Sequence, residues 1–291
     1  SRFIVQREGG LHVQPGRLEA ATELADFVDR VIATGLYFRG LDYECFISLL
    51  YGHPATRGPA SPDEVLLAAD ITAFRPERRA LYKELLIDGD EAAYLFEPLY
   101  LESPDGEPAT ETRVRLDVDE FIASAWAQGV RFGIDVAAVG AGFDVDKAER
   151  RIVARSLPYV PGKDAEVCEL APGLHRNNAP RRLLGDRVDL RQFETRYPQV
   201  AAGLRLVRKN PRTPGTDGRN LAGQALPPPL SKDFDLASLA GPGTRISHED
   251  DGEYLLTTVC GFLNIDRQSN QFSITDKIIS HEGVSVRTTG D

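Results

Sequence analysis

Apolar residues in the first part of the chain recur at steps of three and four positions, which is the period of an amphipathic helix. This spacing predicts helices over residues 17–34 and 42–51, each followed by a glycine that can end it. A Ser-Pro-Asp-Glu stretch beginning at Ser61 has the residues of a helix start, and a further helix is predicted over 76–87. The pattern therefore predicts a mostly helical N-terminal region over residues 1–88.

The next part of the chain alternates between extended and helical patterns. Residues 92–102 are rich in aromatic side chains and predict a strand. Asp117 stands where the N-cap of the following apolar-periodic segment is expected, so that segment is predicted to be helical. Residues 151–156 and 165–170 have the composition of strands. Together these elements predict a small α/β domain over residues 89–172.

The last part of the chain has no helical pattern, and its apolar residues alternate with polar ones between Gly and Pro residues. Four segments predict strands, namely 188–193, 200–208, 254–265 and 271–274. We therefore expect a β-rich domain over residues 173–291 with almost no α-helix. The whole chain is predicted to be an α+β protein of three parts.

Two segments share the pattern Pro-x-x-Pro-Gly-x-Asp, at residues 158–164 and 211–217. Proline restricts φ, glycine allows positive φ, and aspartate can accept hydrogen bonds from neighbouring backbone amides. Neither segment has the Lys-Ser/Thr pair of a phosphate-binding loop or is followed by a predicted helix. The repeat is therefore interpreted as a pair of rigid turns between strands.

These turns form part of a longer series of motifs that resembles the flagellar assembly protein A family of bacteria, over about residues 90–291. The stretches that support the resemblance are 129–135 (GVRFGID), 153–155, 158–164, 188–190, 210–229 (NPRTPGTDGRNLAGQALPPP), 241–243, 251–252 and Gly261. Their order and rough spacing match the family, and the combination is more specific than any one motif. The first 88 residues do not visibly match it.

The resemblance implies a fold and a function. In the family, the β-rich segment continues as a right-handed parallel β-helix, and residues 283–291 look like its first rung, so the chain is interpreted as a truncated member. The implied role is that of a non-enzymatic cytoplasmic bacterial scaffold that assists flagellar assembly or placement through protein–protein contacts. In some relatives this role is coupled to a phosphocarrier of the sugar phosphotransferase system, which makes such a phosphocarrier a candidate partner.

Composition and charge exclude several classes of protein. The 291 residues include 42% hydrophobic and 27% charged residues, which is typical of a globular protein and not of a disordered one. No apolar run approaches the length of about 20 residues that a membrane-spanning helix needs, and no signal peptide is recognisable at the start of this sequence. The formal net charge of −10 argues against nucleic acid as a partner.

No catalytic or metal-binding motif is recognisable, so no cofactor is predicted. Cys45, Cys168 and Cys260 are far apart and are interpreted as buried free thiols in a reducing compartment. Residues 248–252 (HEDDG) lack the alternating acidic spacing of a calcium loop, and a solvated turn is expected instead. The alternative to a scaffold is a ligand-binding module or an enzyme with a site between the domains.

Basic residues concentrate at the start of the β-rich region. Residues 171–213 contain ten basic and three acidic side chains, a net charge of +7. Two interpretations remain open: these arginines dock the β-rich region onto the acidic remainder of the chain, or they bind an acidic protein or another anion. Arg181, Arg182, Arg187 and Arg191 are the candidate binding residues, because they lie on either side of a predicted turn and in the strand that follows it.

Overall fold

The computed structural model describes residues 2–52, 64–101, 112–182 and 188–278. Its internal contacts divide the chain into two compact units. Unit 1 consists of Ser1–Val160 and Asp217–Pro227, and unit 2 consists of Pro161–Thr216 and Pro228–Asp291. The predicted boundaries after residues 88 and 172 therefore fall inside these units and not between them.

Unit 1 combines helices with short antiparallel sheets. Its helices are α1 (Ala21–Ala33), α2 (Tyr43–Tyr51), α3 (Pro76–Arg79), α4 (Val118–Ala127) and α5 (Val136–Gly142), with a 3₁₀ turn at Pro15–Arg17. Its strands are β1 (Ile4–Arg7), β2 (Gly10–Val13), β3 (Leu36–Arg39), β4 (Val65–Ala68), β5 (Asp70–Ala73), β6 (Leu86–Asp88), β7 (Glu91–Phe96), β8 (Tyr100–Leu101), β9 (Thr112–Arg113), β10 (Glu149–Arg155) and the later pair β16 (Gly218–Arg219) and β17 (Ala225–Leu226). The three-stranded sheets have the orders β1-β2-β4 and β10-β7-β6, and β3-β5, β8-β9 and β16-β17 form two-stranded ribbons.

The predicted helices α1, α2 and α4 are confirmed, and the side chain of Asp117 caps α4 by accepting hydrogen bonds from two backbone amides. The prediction that residues 1–88 are mostly helical is wrong, because six strands also lie there. The predicted helix over 76–87 is a single turn, α3, followed by strand β6, which pairs with β7. Ser61 lies outside the described residues. Local helix signals were overridden here by strand pairing, which for β6 is a tight hairpin with β7.

Two clusters of buried apolar side chains stabilise unit 1, and α4 contributes to both. Phe121 and Ile122 of α4 belong to the first cluster, which also buries Phe96 of β7. Trp126 of the same helix belongs to the second cluster, together with Phe46 of α2. The Trp126 ring lies 5.5 Å from the Phe46 ring, centroid to centroid. Because one amphipathic helix serves both clusters, the N-terminal residues and the segment from 89 to 160 fold as one body.

Unit 2 is built from strands, as its alternating pattern predicts. These strands pair with one another in antiparallel fashion. Its strands are β11 (Glu166–Glu169), β12 (Asn177–Arg182), β13 (Val188–Thr195), β14 (Gln199–Val200), β15 (Arg205–Asn210), β18 (Thr244–Glu249), β19 (Gly252–Thr257), β20 (Gly261–Ile265) and β21 (Phe272–Thr275). They form a sheet of order β11-β15-β19-β18, a sheet of order β14-β20-β21 and the ribbon β12-β13. The single helical element among the described residues of this unit is a 3₁₀ turn at Leu236–Leu239.

The core of unit 2 is smaller than the cores of unit 1 and mainly aliphatic, with Leu206, Leu236 and Leu255 fully buried. Mixed helix and strand content confirms an α+β protein. Residues 279–291, where the first rung of a parallel β-helix is expected, lie outside the described residues. The β-helix therefore stays a prediction.

Candidate functional site

The GVRFGID stretch at residues 129–135 serves the fold of unit 1. Gly133 has φ +74°, and a Cβ at this position would lie 1.8 Å from the carbonyl oxygen of Arg155. The Gly133 carbonyl accepts a hydrogen bond from the Arg155 amide at 3.1 Å. Asp135 then caps α5 by accepting from the Ala138 amide at 2.9 Å. Glycine is required here because two backbones approach more closely than a side chain allows.

The second stretch that supports the resemblance, within residues 210–229, packs against the first. Its hairpin β16–β17 inserts Leu221 into the core of unit 1, where this side chain is 6% exposed. The Leu221 carbonyl accepts hydrogen bonds from the amides of Arg131 at 2.7 Å and Phe132 at 3.1 Å. The Arg219 guanidinium lies 4.6 Å from the centroid of the Tyr51 ring. Both stretches therefore act as interlocking structural elements of one unit.

The Pro-x-x-Pro-Gly-x-Asp turns also make structural hydrogen bonds. In unit 2 the Thr213 amide donates to the Lys163 carbonyl at 3.0 Å, and the Lys163 amide donates to Thr213 Oγ1 at 3.1 Å. Asp164 Oδ1 accepts from the Lys232 amide at 2.7 Å. These bonds bring one turn of the repeat against the other, which supports the interpretation of the repeat as rigid turns.

The four candidate arginines lie on or beside the ribbon β12–β13. Arg181 and Arg182 are at the end of β12, where their Cα partners are Asp189 and Val188 of β13. Arg191 lies within β13. Arg187 lies outside the described residues, in the connection between the two strands. The backbone thus places three of the four on one ribbon, and their role in binding stays a prediction.

Three other basic residues of the same stretch are paired with acids of unit 2 itself. Arg205 pairs with Glu249, Lys209 Nζ lies 2.9 Å from Asp233 Oδ1, and Arg212 Nε lies 3.7 Å from Asp233 Oδ2. These three charges are therefore neutralised within the β-rich region itself, and what the other basic residues of the stretch bind stays a prediction. Sequence position alone could not identify these partners, which come from residues 21 to 44 positions further along the chain.

Two arginines of β15 stack on a tyrosine of β19. Arg205 Cζ lies 4.5 Å and Arg208 Cζ 5.8 Å from the centroid of the Tyr254 ring. The Tyr254 hydroxyl donates to Asp251 Oδ2 at 2.6 Å, and this bond is the main cause that lowers the pKa of Asp251. We call Arg205, Tyr254 and Arg208 the arginine–tyrosine stack. The alternation of apolar and polar residues in both strands is visible in the sequence. The strand register that places Arg208 opposite Tyr254 is decided only by the tertiary structure.

The turn predicted at residues 248–252 is confirmed: it closes the hairpin β18–β19, with Glu249 paired to Gly252. The prediction of three buried thiols is wrong, because Cys168 and Cys260 are exposed and Cys45 is half-buried. Both exposed thiols lie in or beside strands at the surface of unit 2. Apolar neighbours in the sequence predict a strand, but they do not show which face of that strand is buried. All three cysteines are free.

Unit 1 has an open cleft of about 770 Å³ that sequence reasoning did not anticipate. Its charged lining residues are Arg75, Arg78, Arg115, Asp117, Asp119, Glu120 and Asp144. At its base the Arg78 guanidinium donates through Nε and Nη2 to the Glu120 carboxylate, with the shortest contact at 2.6 Å. The side chain of Glu120 is 9% exposed. A buried carboxylate is thus neutralised by a bidentate partner.

Tyr82 completes this buried network, which we call the Arg78–Glu120–Tyr82 network. The Tyr82 hydroxyl donates to Glu120 Oε2 at 2.5 Å and accepts from the Asp117 amide at 2.9 Å. Burial is the main cause that raises the pKa of Tyr82, and the bond to Glu120 adds to it. Beside the network, Asp119 Oδ2 accepts from the Gly40 amide at 2.7 Å, while burial raises the pKa of that carboxyl.

Within the described ranges, no group of three or more His, Cys, Asp or Glu side chains could hold a metal ion. Over the same part of the chain, no helix has the length and hydropathy needed to cross a membrane.

Comparison with known proteins gives one match. The family model for the flagellar assembly protein A N-terminal region matches residues 101–268, which is more than half of the 291 residues and includes parts of both units. No curated protein and no solved structure matches the chain. The match includes the interlocking stretches at 129–135 and 217–227 and the arginine–tyrosine stack. The chain therefore belongs to the flagellar assembly protein A family, through its N-terminal region.

Proposed function

We propose that the chain is a non-enzymatic cytoplasmic scaffold that assists bacterial flagellar assembly or placement by binding other proteins. The observation on which this proposal rests is the family match across residues 101–268. The family motifs at residues 129–135 and 217–227 make structural contacts within unit 1. We therefore assign these motifs to stabilising the fold and assign partner binding to other residues. The same family resemblance supports a parallel β-helix beginning near residue 283.

The proposed contact for an acidic protein partner is the ribbon β12–β13 of unit 2. Residues 171–213 have a net charge of +7 in a chain whose overall charge is −10. The ribbon β12–β13 contains Arg181, Arg182 and Arg191, and guanidinium groups bind carboxylates and phosphates in bidentate geometry. A phosphocarrier of the sugar phosphotransferase system is the partner that the resemblance suggests, and we propose it as the first to be tested.

The proposal is tested in the bacterium that encodes the chain. We expect deletion of the gene, and the double variant Arg182→Glu/Arg191→Glu, to reduce the number of flagella or displace them, as counted by electron microscopy. Arg150→Glu is the matched control, because Arg150 is an exposed arginine of unit 1. Immunoblots establish equal amounts of each variant. Normal flagella in the deletion strain would contradict the proposal.

Binding is tested separately with purified proteins. The full chain is titrated with the unphosphorylated and the phosphorylated phosphocarrier by isothermal titration calorimetry at low and high salt. We expect the double charge reversal to weaken binding steeply at low salt, because long-range charge complementarity acts mainly there. Its melting temperature should stay near that of the wild type, since exposed ion pairs contribute only about 0–1 kcal/mol to folding. A large loss of stability with unchanged affinity would make these arginines structural.

A further inference from the structure

We propose that the cleft of unit 1 binds a small organic oxyanion, that is, a phosphate or carboxylate group attached to an apolar or aromatic body. The cleft is lined by residues of unit 1, whereas the scaffold proposal depends on arginines of unit 2. The binding activity would therefore be a second one, located in a different unit of the chain.

The size and lining of the cleft fit a small molecule. Its volume of about 770 Å³ lies within the range of about 300–1,000 Å³ that is usual for ligand sites. Leu116, Val118 and Phe143 give it apolar wall area beside the charged groups. Tyr37 also lines it, and the hydroxyl of this buried tyrosine makes no hydrogen bond to any described residue. Apolar walls with a few polar groups are the usual composition of such a site.

Among the described residues, two of the cleft's three guanidiniums have no carboxylate partner, although the lining as a whole also includes four carboxylates. The carboxylate of Glu120 is neutralised by Arg78, that of Asp117 caps α4, and that of Asp119 accepts from the Gly40 amide. Arg75 and Arg115 are both exposed, and neither guanidinium has an ion pair within the part of the chain that the structure describes. Asp117 and Asp144 are the exposed carboxylates of the lining.

Hydrogen bonds fix the backbone at both Arg75 and Arg115. Arg75 precedes Pro76, which opens α3, and the Arg75 carbonyl accepts from the Arg79 amide at 2.9 Å. The Arg115 carbonyl accepts from Arg78 Nη2 at 3.1 Å, so the buried Arg78–Glu120–Tyr82 network also positions this segment. The backbone at both positions is therefore fixed, so an oxyanion would have to order only the two side chains when it binds.

The test is a titration of the full chain with three probes that share an aromatic ring, namely phenyl phosphate, phenylacetate and benzyl alcohol. Calorimetry measures the binding of each probe. We expect saturable binding of one or both anions at low salt and no binding of the neutral alcohol. The two anions separate a phosphate preference from a carboxylate preference. Shifts of the Tyr37 and Phe143 ring resonances would locate the probe in the cleft without any substitution.

The variants exploit the charges of the lining. Arg75→Gln/Arg115→Gln should weaken anion binding at least about tenfold, because both charge-assisted contacts are lost. Asp144→Asn should strengthen it, since it removes a like charge. Arg150→Gln is the matched control, because Arg150 is exposed in the same unit but does not line the cleft. Each variant retains the buried network, so its melting temperature should stay unchanged.

Three results would overturn the proposal. The first is that no anion binds, and the second is that benzyl alcohol binds as tightly as phenyl phosphate. The third is that Arg150→Gln weakens binding as much as the double variant does. None of these results bears on the scaffold proposal, which depends on unit 2 and is measured with protein partners.

Discussion

Both units pair an arginine with a glutamate across distant parts of the chain, but the two pairs lie in different environments. In unit 1 the side chains of Arg78 and Glu120 are 32% and 9% exposed, and Tyr82 also bonds to the carboxylate. In unit 2 the side chains of Arg205 and Glu249 are 48% and 28% exposed. Removing one partner of a buried pair leaves an uncompensated charge, whereas an exposed charge regains water. The same chemistry is therefore expected to contribute more to the stability of unit 1 than to that of unit 2.

The largest effect should come from breaking the buried pair. We expect Glu120→Ala to lower the free energy of unfolding by about 3–5 kcal/mol, because Arg78 and the Tyr82 hydroxyl both lose their partner. Urea denaturation measures this change. Glu249→Ala in unit 2 is the matched control and should cost about 0–1 kcal/mol. Equal losses in the two variants would refute the contrast between the units.

The close approach of two backbones in unit 1 gives the next largest effect. Gly133→Ala should destabilise unit 1 by more than the ~1–2 kcal/mol expected for positive φ alone, because its Cβ would collide with the Arg155 carbonyl. Gly89→Ala isolates the conformational part, since Gly89 also has positive φ (+56°) but no atom within 4 Å of an added Cβ. Thermal unfolding of both variants measures the difference, and equal melting temperatures would show that the contact can relax.

Glu64 in unit 1 and Asp251 in unit 2 are carboxylates whose pKa is lowered by different hydrogen-bond donors. Acid titration compares the two. Bonds from Arg7 and Gln14 lower the pKa of Glu64 in unit 1 to about 2. Because the folded-state pKa is lower than that of the unfolded chain, this group stabilises the fold above about pH 4, and the contribution is lost as the pH falls towards 2. Arg7→Gln should raise the pKa of Glu64 in carboxyl-detected NMR.

Tyr254→Phe is the matched control for this titration in unit 2. It should leave Glu64 unchanged and raise the pKa of Asp251, whose main hydrogen-bond donor it removes. A Glu64 titration that stays unchanged in Arg7→Gln would contradict the ion pair in unit 1. An unchanged Asp251 titration in Tyr254→Phe would contradict the hydrogen bond from the Tyr254 hydroxyl to Asp251 in unit 2.

The three thiols give a comparison that does not depend on stability. Cys168 and Cys260 of unit 2 are exposed, while Cys45 of unit 1 is half-buried, and burial raises its pKa. We expect the two exposed thiols to react with Ellman's reagent before Cys45 does, because the thiolate is the reactive form. The single Cys→Ser variants assign each kinetic phase. A Cys45 that reacts first would show that this part of unit 1 opens readily.

Local sequence determined the elements whose signals lie within one segment. Helices α1, α2 and α4, the Asp117 cap and most strands of unit 2 follow from periodicity, capping residues and turn residues. The family, too, could be identified from its short motifs, because glycines and turn prolines mark backbone conformations that few other residues adopt. The charge of the arginine-rich stretch is likewise a property of the sequence alone.

The tertiary structure decided what each of these segments contacts. Strands β4 and β6 form where helices are predicted, because pairing with β2 and β7 outweighs weak local preference. Glu120 reads locally as part of a helix start, and only folding brings Arg78 to it from 42 positions away. The cleft and the arginine–tyrosine stack depend in the same way on distant segments meeting. Their geometry follows from packing and strand register, which no local pattern in the chain specifies.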